Sequence, residues 1–322
     1  MGSFSLAAQR RLEIGLALLD GDAPADAADA FRAALEEAPD YPDAWFSLGH
    51  ACEASCDPDG AAEAYRRYRA LDPGDAMGAG VRLALLGAEA TPDRLPAAYV
   101  RALFDQYAPR FDRALTERLG YRAPALLREA VLADRRPDDP PLSILDLGCG
   151  TGLGGAAFRD LAVWLEGVDL SPGMVARARM RGLYDALEVE DIETALDRAE
   201  RRYDLVLAAD VLAYLGDLGT VFRQARRVLM PDGLFAFTVE RTDEPGFRLG
   251  EKHRYAHNDL YVAAQAAVAG FEVARMSLDW SRTEAGAPVP GLVVVLCAAA
   301  EIGMDDVVIA PPPETGRGRL DA

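Results

Sequence analysis

Three acidic residues, each placed where a predicted strand ends, are the side chains of this sequence best suited to hold a ligand. Asp146 lies in the apolar run 142–147, while Asp169 and Asp191 close the next two predicted strands. A carboxylate can hold an amine or accept hydrogen bonds from both hydroxyls of a ribose. Because the carboxyl ends of parallel strands meet at one edge of a sheet, the three acids predict a site for an amine-bearing nucleoside.

Glycines follow the first acid and indicate that the backbone itself approaches the ligand. Gly148, Gly150 and Gly152 stand at alternate positions after Asp146, before a predicted helix. The run 150–155 also satisfies G-x-G-x-x-G, so a nicotinamide or flavin dinucleotide has to be considered. The charge of Asp146 would repel a pyrophosphate, whereas a cationic adenosine without phosphates would tolerate it. S-adenosylmethionine (SAM) has that chemistry.

The elements that position these acids alternate between strands and helices. Such alternation predicts an α/β fold with a doubly wound, mainly parallel sheet and a terminal antiparallel strand. The predicted strands cover 143–147, 164–170, 187–190, 204–208, 234–239, 271–278 and 292–298.

The N-terminal part repeats with a period of 34 residues and predicts paired helices. Four pairs carry the repeat, namely Gly15 and Gly49, Ala27 and Ala61, Phe31 and Tyr65, and Pro39 and Pro73. Small residues allow close helix crossing, aromatic rings fill the gap, and proline ends the second helix. The pattern resembles tetratricopeptide (TPR) repeats. It implies a helical repeat domain over 1–88, with two repeats and a capping helix, that serves as a protein-recognition surface or as a structural lid.

A helical flank and a tail complete the predicted organisation. The segment 88–96 is a linker, and helices are expected over 97–107 and about 111–133, the latter with Leu115 and Leu119 on its apolar face. We expect a second domain over 97–300 that includes the flank 97–135. The tail 301–322 has little to bury and is expected to be disordered.

Motifs in the second domain resemble those of class I SAM-dependent methyltransferases. Five elements occur in order, namely Leu145–Gly152, Gly167–Ser171, Glu190–Asp191, Tyr203–Val206 with Ala209–Leu212, and the turn Pro231–Gly233. More narrowly, Phe104–Ala108, Gly120–Pro124 and Arg254–His257 are similar to bacterial TPR-containing methyltransferases. The resemblance implies a Rossmann-like seven-stranded methyltransferase sheet, with SAM as cofactor.

The resemblance also assigns roles to single residues. Gly148, Gly150 and Gly152 would line the methionine portion of SAM, with Asp146 beside its amino group. Asp169, with Leu170 next to it, would hold the ribose, and Asp191 with the Ile192 backbone would hold the adenine. Asp210 would lie at the methyl end of the pocket, and Tyr107 would close over the cofactor.

His257 is the candidate general base, because an acceptor of high pKa needs one and His257 follows the fifth parallel strand. An equal alternative is that it caps the next helix. Weaker candidates for contact with the substrate are Asp210, Tyr214, Glu240 and Arg254, of which Arg254 could pair with a carboxylate substrate.

Composition restricts the partners. The chain of 322 residues has 52 acids against 34 bases, a net charge of −18, which disfavours nucleic acid and anionic membranes. No run is long and apolar enough to span a membrane and the start lacks a signal peptide, so we expect a soluble, cytoplasmic protein. The four cysteines have no spacing suited to zinc, so no metal is expected.

The expected acceptor is a small metabolite or a protein-bound or carrier-bound group, and the TPR segment is a possible docking site for a protein partner. Two alternatives are an NAD(P)-dependent oxidoreductase and a non-catalytic scaffold that acts through its TPR segment.

Overall fold

The computed structural model describes residues 5–108, 120–284 and 286–298. Twelve α-helices lie in these ranges: α1 Leu6–Asp20, α2 Pro24–Glu37, α3 Pro42–Ala54, α4 Pro58–Leu71, α5 Ala79–Leu85, α6 Ala97–Tyr107, α7 Ala123–Leu132, α8 Leu153–Phe158, α9 Pro172–Arg181, α10 Ile192–Arg198, α11 Gly219–Val228 and α12 Asp259–Val268. None of them is long and apolar enough to cross a membrane. The predictions for Leu115, Leu119 and the tail 301–322 lie outside the described residues.

Helices α1 to α4 form two antiparallel pairs, in agreement with the 34-residue period. The glycines of the repeat are required by close packing. A Cβ atom on Gly15 would lie 2.4 Å from the Phe31 ring, and one on Gly49 would lie 2.5 Å from the Tyr65 ring. Since real Cβ atoms do not approach carbon this closely, only glycine lets each first helix pack against the aromatic ring of its second helix.

Eleven strands occur in the described ranges, and nine of them form one mainly parallel sheet. The strands are β1 Leu142–Leu147, β2 Ala162–Asp169, β3 Ala186–Val189, β4 Tyr203–Ala208, β5 Leu229–Arg241, β6 Phe247–Gly250, β7 Arg254–His257, β8 Phe271–Asp279, β9 Thr283–Glu284, β10 Ala287–Pro288 and β11 Gly291–Ala298. Seven of them run in the order β3-β2-β1-β4-β5-β11-β8, with β11 antiparallel to β5 and β8. The predicted fold class, helical repeats followed by a doubly wound and mainly parallel sheet, is confirmed.

Two details of the sheet differ from the prediction. The hairpin of β6 and β7 was not predicted, because both strands have only four residues; β7 extends the sheet by pairing with the end of β5. In addition, β5 begins at Leu229 rather than Leu234. The predicted turn Pro231–Gly233 lies within this strand, and a register shift against β4 accommodates it.

The linker and the capping helix α5 pack on the new hairpin. Val81 of α5 and Leu95 of the linker form a buried apolar cluster with Leu249 and Tyr255 of the hairpin. The Tyr255 hydroxyl donates a hydrogen bond to the Pro92 carbonyl at 2.6 Å. The helical repeats are therefore anchored to the sheet next to the carboxyl ends of its central strands.

Candidate active site

A cavity of about 410 Å³ opens at the carboxyl ends of β1 to β4. The strand order reverses between β1 and β4, and such a switch point is where open α/β sheets bind ligands. Nine of the predicted site residues line the cavity: Tyr107, Asp146, Gly148, Gly150, Asp169, Leu170, Asp191, Ile192 and Asp210. The spacing of acids and glycines in the sequence thus corresponds to one connected surface.

Asp146 lies at the base of the cavity and is almost completely enclosed, with 1% of its surface exposed. The Tyr184 hydroxyl donates a hydrogen bond of 2.6 Å to its Oδ2 atom and accepts one from the Gly155 N–H. The pKa of Asp146 is raised to about 7, chiefly by burial; the hydrogen bond from Tyr184 opposes this rise, and the nearby charge of Asp169 adds to it. A cation placed beside Asp146 would favour its ionised form.

Asp169 joins the glycine loop to the start of α9. Its two carboxylate oxygens accept hydrogen bonds from the Gly150 N–H at 2.9 Å and from the Ser171 N–H at 2.8 Å. Burial raises the pKa of Asp169 to about 6, and these two backbone donors oppose that rise. The left-handed conformations of Gly148 and Gly150, with φ of 60° and 55°, form the turn that brings the loop to this acid.

Asp191 is held by a residue of the linker. It is the N-cap of α10, where its side chain accepts the Glu193 N–H, and its carboxylate also pairs with the Arg94 guanidinium. Arg94 reaches Glu193 at 2.6 Å as well. The linker therefore contributes a charged contact at the β3 end of the cavity.

Helix α6 forms a wall of the cavity. Asp105 accepts hydrogen bonds from the Ser171 hydroxyl at 2.5 Å and from the Gly173 N–H at 3.1 Å, which fastens α6 to the start of α9. Tyr107 lines the cavity with 47% of its surface exposed. An exposed aromatic ring at this rim is free to pack on a ligand.

A network of charges surrounds Asp210 at the β4 end. Asp210 has φ of 62°, a conformation rare for residues other than glycine, and its N–H donates to the Thr238 hydroxyl. Its carboxylate lies 2.6 Å from Nη2 of Arg254. Arg254 also pairs with Glu240 at the end of β5.

Comparisons with known proteins agree with this geometry. Residues 145–237 match the family model described as a methyltransferase domain, and residues 12–76 match the tetratricopeptide repeat. The chain contains a methyltransferase domain and TPR repeats.

Named relatives match the methyltransferase domain. The chain is 35% identical over 118 residues to malonyl-[acyl-carrier protein] O-methyltransferase of Pseudescherichia vulneris and 35% identical over 151 residues to methyltransferase-like protein 27 of Homo sapiens. These alignments cover 37% and 46% of this chain, but only 45% and 60% of the relatives. The chain thus spans about half the length of the relatives it matches.

Among solved structures, magnesium protoporphyrin IX methyltransferase from Synechocystis PCC 6803 has the same fold. Its TM-score is 0.50 at 16% identity, and the alignment covers 63% of this chain and 99% of that one.

Two predicted residues do not line the cavity of the methyltransferase domain. His257 has no exposed surface, and its Nε2 lies 3.0 Å and 3.1 Å from the Leu215 and Gly216 carbonyl oxygens. Burial lowers its pKa to about 4. This enclosed position does not suit a general base that must reach a substrate. The alternative role as a helix cap is not seen either, because Asn258 is the N-cap of α12.

Gly152 is the second of these residues. With φ of 93° it is the left-handed N-cap of α8, and a Cβ there would meet Arg181 and Tyr184 rather than the cavity. The turn therefore requires glycine at position 152.

Sequence reasoning missed five residues of the site: Arg94, Asp105, Tyr184, Lys252 and Arg282. Each has at least one partner on an element distant in sequence, so no local spacing marks its place in the site. For Lys252 alone, the sequence offers a signal, because it is the only lysine of the chain.

Proposed function

We propose that the protein is a SAM-dependent methyltransferase that acts on an oxygen acceptor. The observation that carries the proposal is the convergence of Asp146, the glycine loop, Asp169 and Asp191 on one cavity at the switch point of the sheet. The names of two relatives, malonyl-[acyl-carrier protein] and ubiquinone biosynthesis O-methyltransferase, support oxygen as the acceptor atom.

The residues present fit this cofactor. The buried carboxylate of Asp146 suits an ammonium group, because burial strengthens the attraction between opposite charges. Asp169 has lone pairs for ribose hydroxyls beyond the two N–H groups it already accepts. Asp191 and the start of α10 would hold the adenine.

SAM supplies an electrophilic methyl group on a positively charged sulfur. The protein contributes alignment and exclusion of water, and good alignment can lower a barrier by up to about 7–11 kcal/mol. Helix α6, fastened to α9 through Asp105, forms one wall of the cavity and would help to exclude water from the reacting atoms. Asp210 lies at the β4 end, where its charge is balanced by Arg254.

Calorimetric titration of the full chain with SAM and with NAD tests the cofactor. We expect SAM to bind and NAD to show no heat of binding; the reverse result would refute the proposal. Replacing Asp169 with Ala removes the hydrogen bonds to the ribose and should weaken SAM binding by at least about a hundredfold, at 1.5–3 kcal/mol per bond to a charged group.

Asp160→Asn is the matched control for this variant. Asp160 is an exposed acid of the same domain, paired with Arg128 outside the cavity lining, so SAM affinity should not change. Equal loss in both variants would show that general charge, rather than the ribose contact, determines binding. Methyl transfer from radiolabelled SAM to a cell extract then separates an enzyme from a scaffold that only binds SAM. Binding of a protein partner by the TPR repeats stays a prediction.

A further inference from the structure

The β4–β5 end of the cavity contains a cluster of charged side chains, which we call the arginine cluster. Its three cations line the cavity: Lys252, Arg254 and Arg282. Its three anions pair with them: Asp210, Glu240 and Glu284. The only lysine of the chain and two largely buried arginines thus converge on one end of a ligand cavity, away from the three acids assigned to the cofactor.

Arg254 has donors available for a ligand. It donates from Nε to Glu240, from Nη1 to the Tyr214 hydroxyl at 2.7 Å and from Nη2 to Asp210 at 2.6 Å. A guanidinium group has five N–H donors, of which each terminal nitrogen carries two. Within the described ranges, these contacts use one N–H on each terminal nitrogen. Because Arg254 lines the cavity, these remaining donors can serve the oxygens of a ligand carboxylate.

Arg282 and Lys252 add further cationic donors at the same end of the cavity. Arg282 is 4% exposed and pairs with Glu240 at 2.9 Å and with Glu284 at 2.8 Å. Lys252, in the turn of the β6–β7 hairpin, pairs with Glu284 and has a largely exposed side chain. A ligand anion could therefore replace Glu284 at Lys252 without leaving a buried charge unpaired.

Resting on the proposed function, we propose that the methyl acceptor is a carboxylate carried on an apolar chain, which Arg254, Arg282 and Lys252 bind at the β4–β5 end of the cavity. The apolar chain would lie against α6, whose Val100, Leu103 and Phe104 line the cavity.

The residues around the cluster favour a nucleophile that is already ionised. No histidine occurs among the described residues that line the cavity, and the phenols of Tyr121 and Tyr214 have their pKa raised by burial. A hydroxyl acceptor would need a base to remove its proton, whereas a carboxyl group is ionised at neutral pH. In the transfer, a carboxylate oxygen bonds to the methyl carbon, the carbon–sulfur bond breaks and its electron pair goes to sulfur. The product is a methyl ester, and no proton is released.

Binding can be measured without turnover, because Lys252 carries the only side-chain amine of the chain and can therefore be labelled selectively. Reductive methylation with ¹³C-formaldehyde labels only Lys252 and the N-terminal amine of the full chain. With S-adenosylhomocysteine present, we expect hexanoate to shift the Lys252 signal. Hexanamide, which has the same shape and no charge, should shift it at least about tenfold more weakly. Equal responses to both probes would overturn the proposal.

Two variants with opposite expected effects separate ligand binding from a structural role. Arg254→Gln should weaken hexanoate binding by at least about tenfold, with Arg241→Gln, whose partners Asp243 and Asp259 lie outside the cavity lining, as the matched control. Glu284→Gln removes an anion of the cluster and should tighten hexanoate binding several-fold. This second variant decides the matter if Arg254→Gln does not fold. A purely structural cluster predicts that Glu284→Gln leaves the affinity unchanged or lower, and that result would refute the proposal.

The chemical stability of the product distinguishes failure of this inference from failure of the proposed function. After transfer from SAM labelled in its methyl group to an extract of the source cells, mild alkali releases methyl esters as volatile labelled methanol, but it leaves ethers and methylamines intact. Alkali-labile label supports a carboxylate acceptor. Alkali-stable label would refute the carboxylate and keep the methyltransferase. Absence of incorporated label would contradict the proposed function itself.

Discussion

The buried carboxylate of Asp146 predicts a stability that depends on pH in an unusual direction. Its pKa is raised from an ordinary 3.8 to about 7, chiefly by burial. A carboxyl group with a raised folded-state pKa binds its proton more tightly when folded, so its contribution to stability is fully present below pH 4 and is lost as pH rises to 7. At 1.36 kcal/mol per pH unit, the loss amounts to at most about 4 kcal/mol.

Asp146→Asn removes this dependence. The asparagine keeps an oxygen that can accept the hydrogen bond from Tyr184, but it carries no charge to bury. We expect the variant to match the parent protein near pH 4 and to exceed its free energy of unfolding by up to about 4 kcal/mol at pH 8. Urea denaturation at several pH values measures the difference in the free energy of unfolding between the two proteins.

The same variant should bind SAM less well, because the ammonium group loses its charged partner. A charge-assisted hydrogen bond of 1.5–3 kcal/mol corresponds to a loss of about 10- to 150-fold, measured by calorimetry. Asp160→Asn is the control for the pH dependence of stability. The hydrogen bond from Arg128 lowers the pKa of Asp160, so the effect of this substitution on the free energy of unfolding at neutral pH should have the opposite sign to that of Asp146→Asn. Stability curves of Asp146→Asn that run parallel to the parent curve from pH 4 to 8 would refute the reasoning.

Three further variants address the linker, the repeats and the buried histidine. Arg94→Gln removes the partner of Asp191 and should lower stability by about 1 kcal/mol and SAM affinity several-fold, as read by denaturation and calorimetry. Gly49→Ala drives a Cβ into the Tyr65 ring and should cost about 1–3 kcal/mol of stability in thermal unfolding. His257→Gln should keep methyl transfer in protein that remains folded. It should also stabilise the protein at acid pH by up to about 3 kcal/mol, because the parent histidine has a lowered pKa of about 4 and loses stability as pH falls below 6.5.

For each of these variants, a specific result would contradict the prediction. Tighter SAM binding by Arg94→Gln would show that Arg94 competes with the ligand for Asp191 rather than positioning it. Gly74→Ala is the control for Gly49→Ala, because a Cβ at Gly74 meets no atom closer than 3.3 Å. Equal losses in both glycine variants would contradict the packing argument. Loss of methyl transfer by folded His257→Gln would restore the histidine as a catalytic candidate.

Features that depend on short-range pattern could be predicted from the sequence. The 34-residue period fixed the packing of Gly15 against Phe31, since both positions recur on the same helix faces. Alternation of strands and helices predicted a mainly parallel sheet, in which the carboxyl ends of the strands bring Asp146, Asp169 and Asp191 to one edge. These inferences succeed because backbone geometry alone determines where the residues lie.

Features that depend on pairing between distant segments could not be predicted. His257 is the last residue of β7, but its ring is buried and lies against the carbonyl oxygens of Leu215 and Gly216, which come from a segment about 40 residues earlier in the sequence. Arg282 reaches Glu240 only because the end of β5 and the loop after β8 come together. Neither contact can be recognised from the spacing of residues in the sequence.

The linker connects the helical repeats with both ends of the cavity. Arg94 pairs with Asp191 at the cofactor end of the cavity, while the next residue, Leu95, donates its N–H to the Tyr214 carbonyl beside the arginine cluster. Tyr214 in turn accepts a hydrogen bond from Arg254. Two adjacent residues of the linker thus contact both ends of the cavity, and α5 packs against the hairpin that carries Arg254. Any displacement of the repeats that moves this linker would therefore change the contacts of Asp191 and of Tyr214 together, and with them the ends of the cavity proposed for the cofactor and the acceptor.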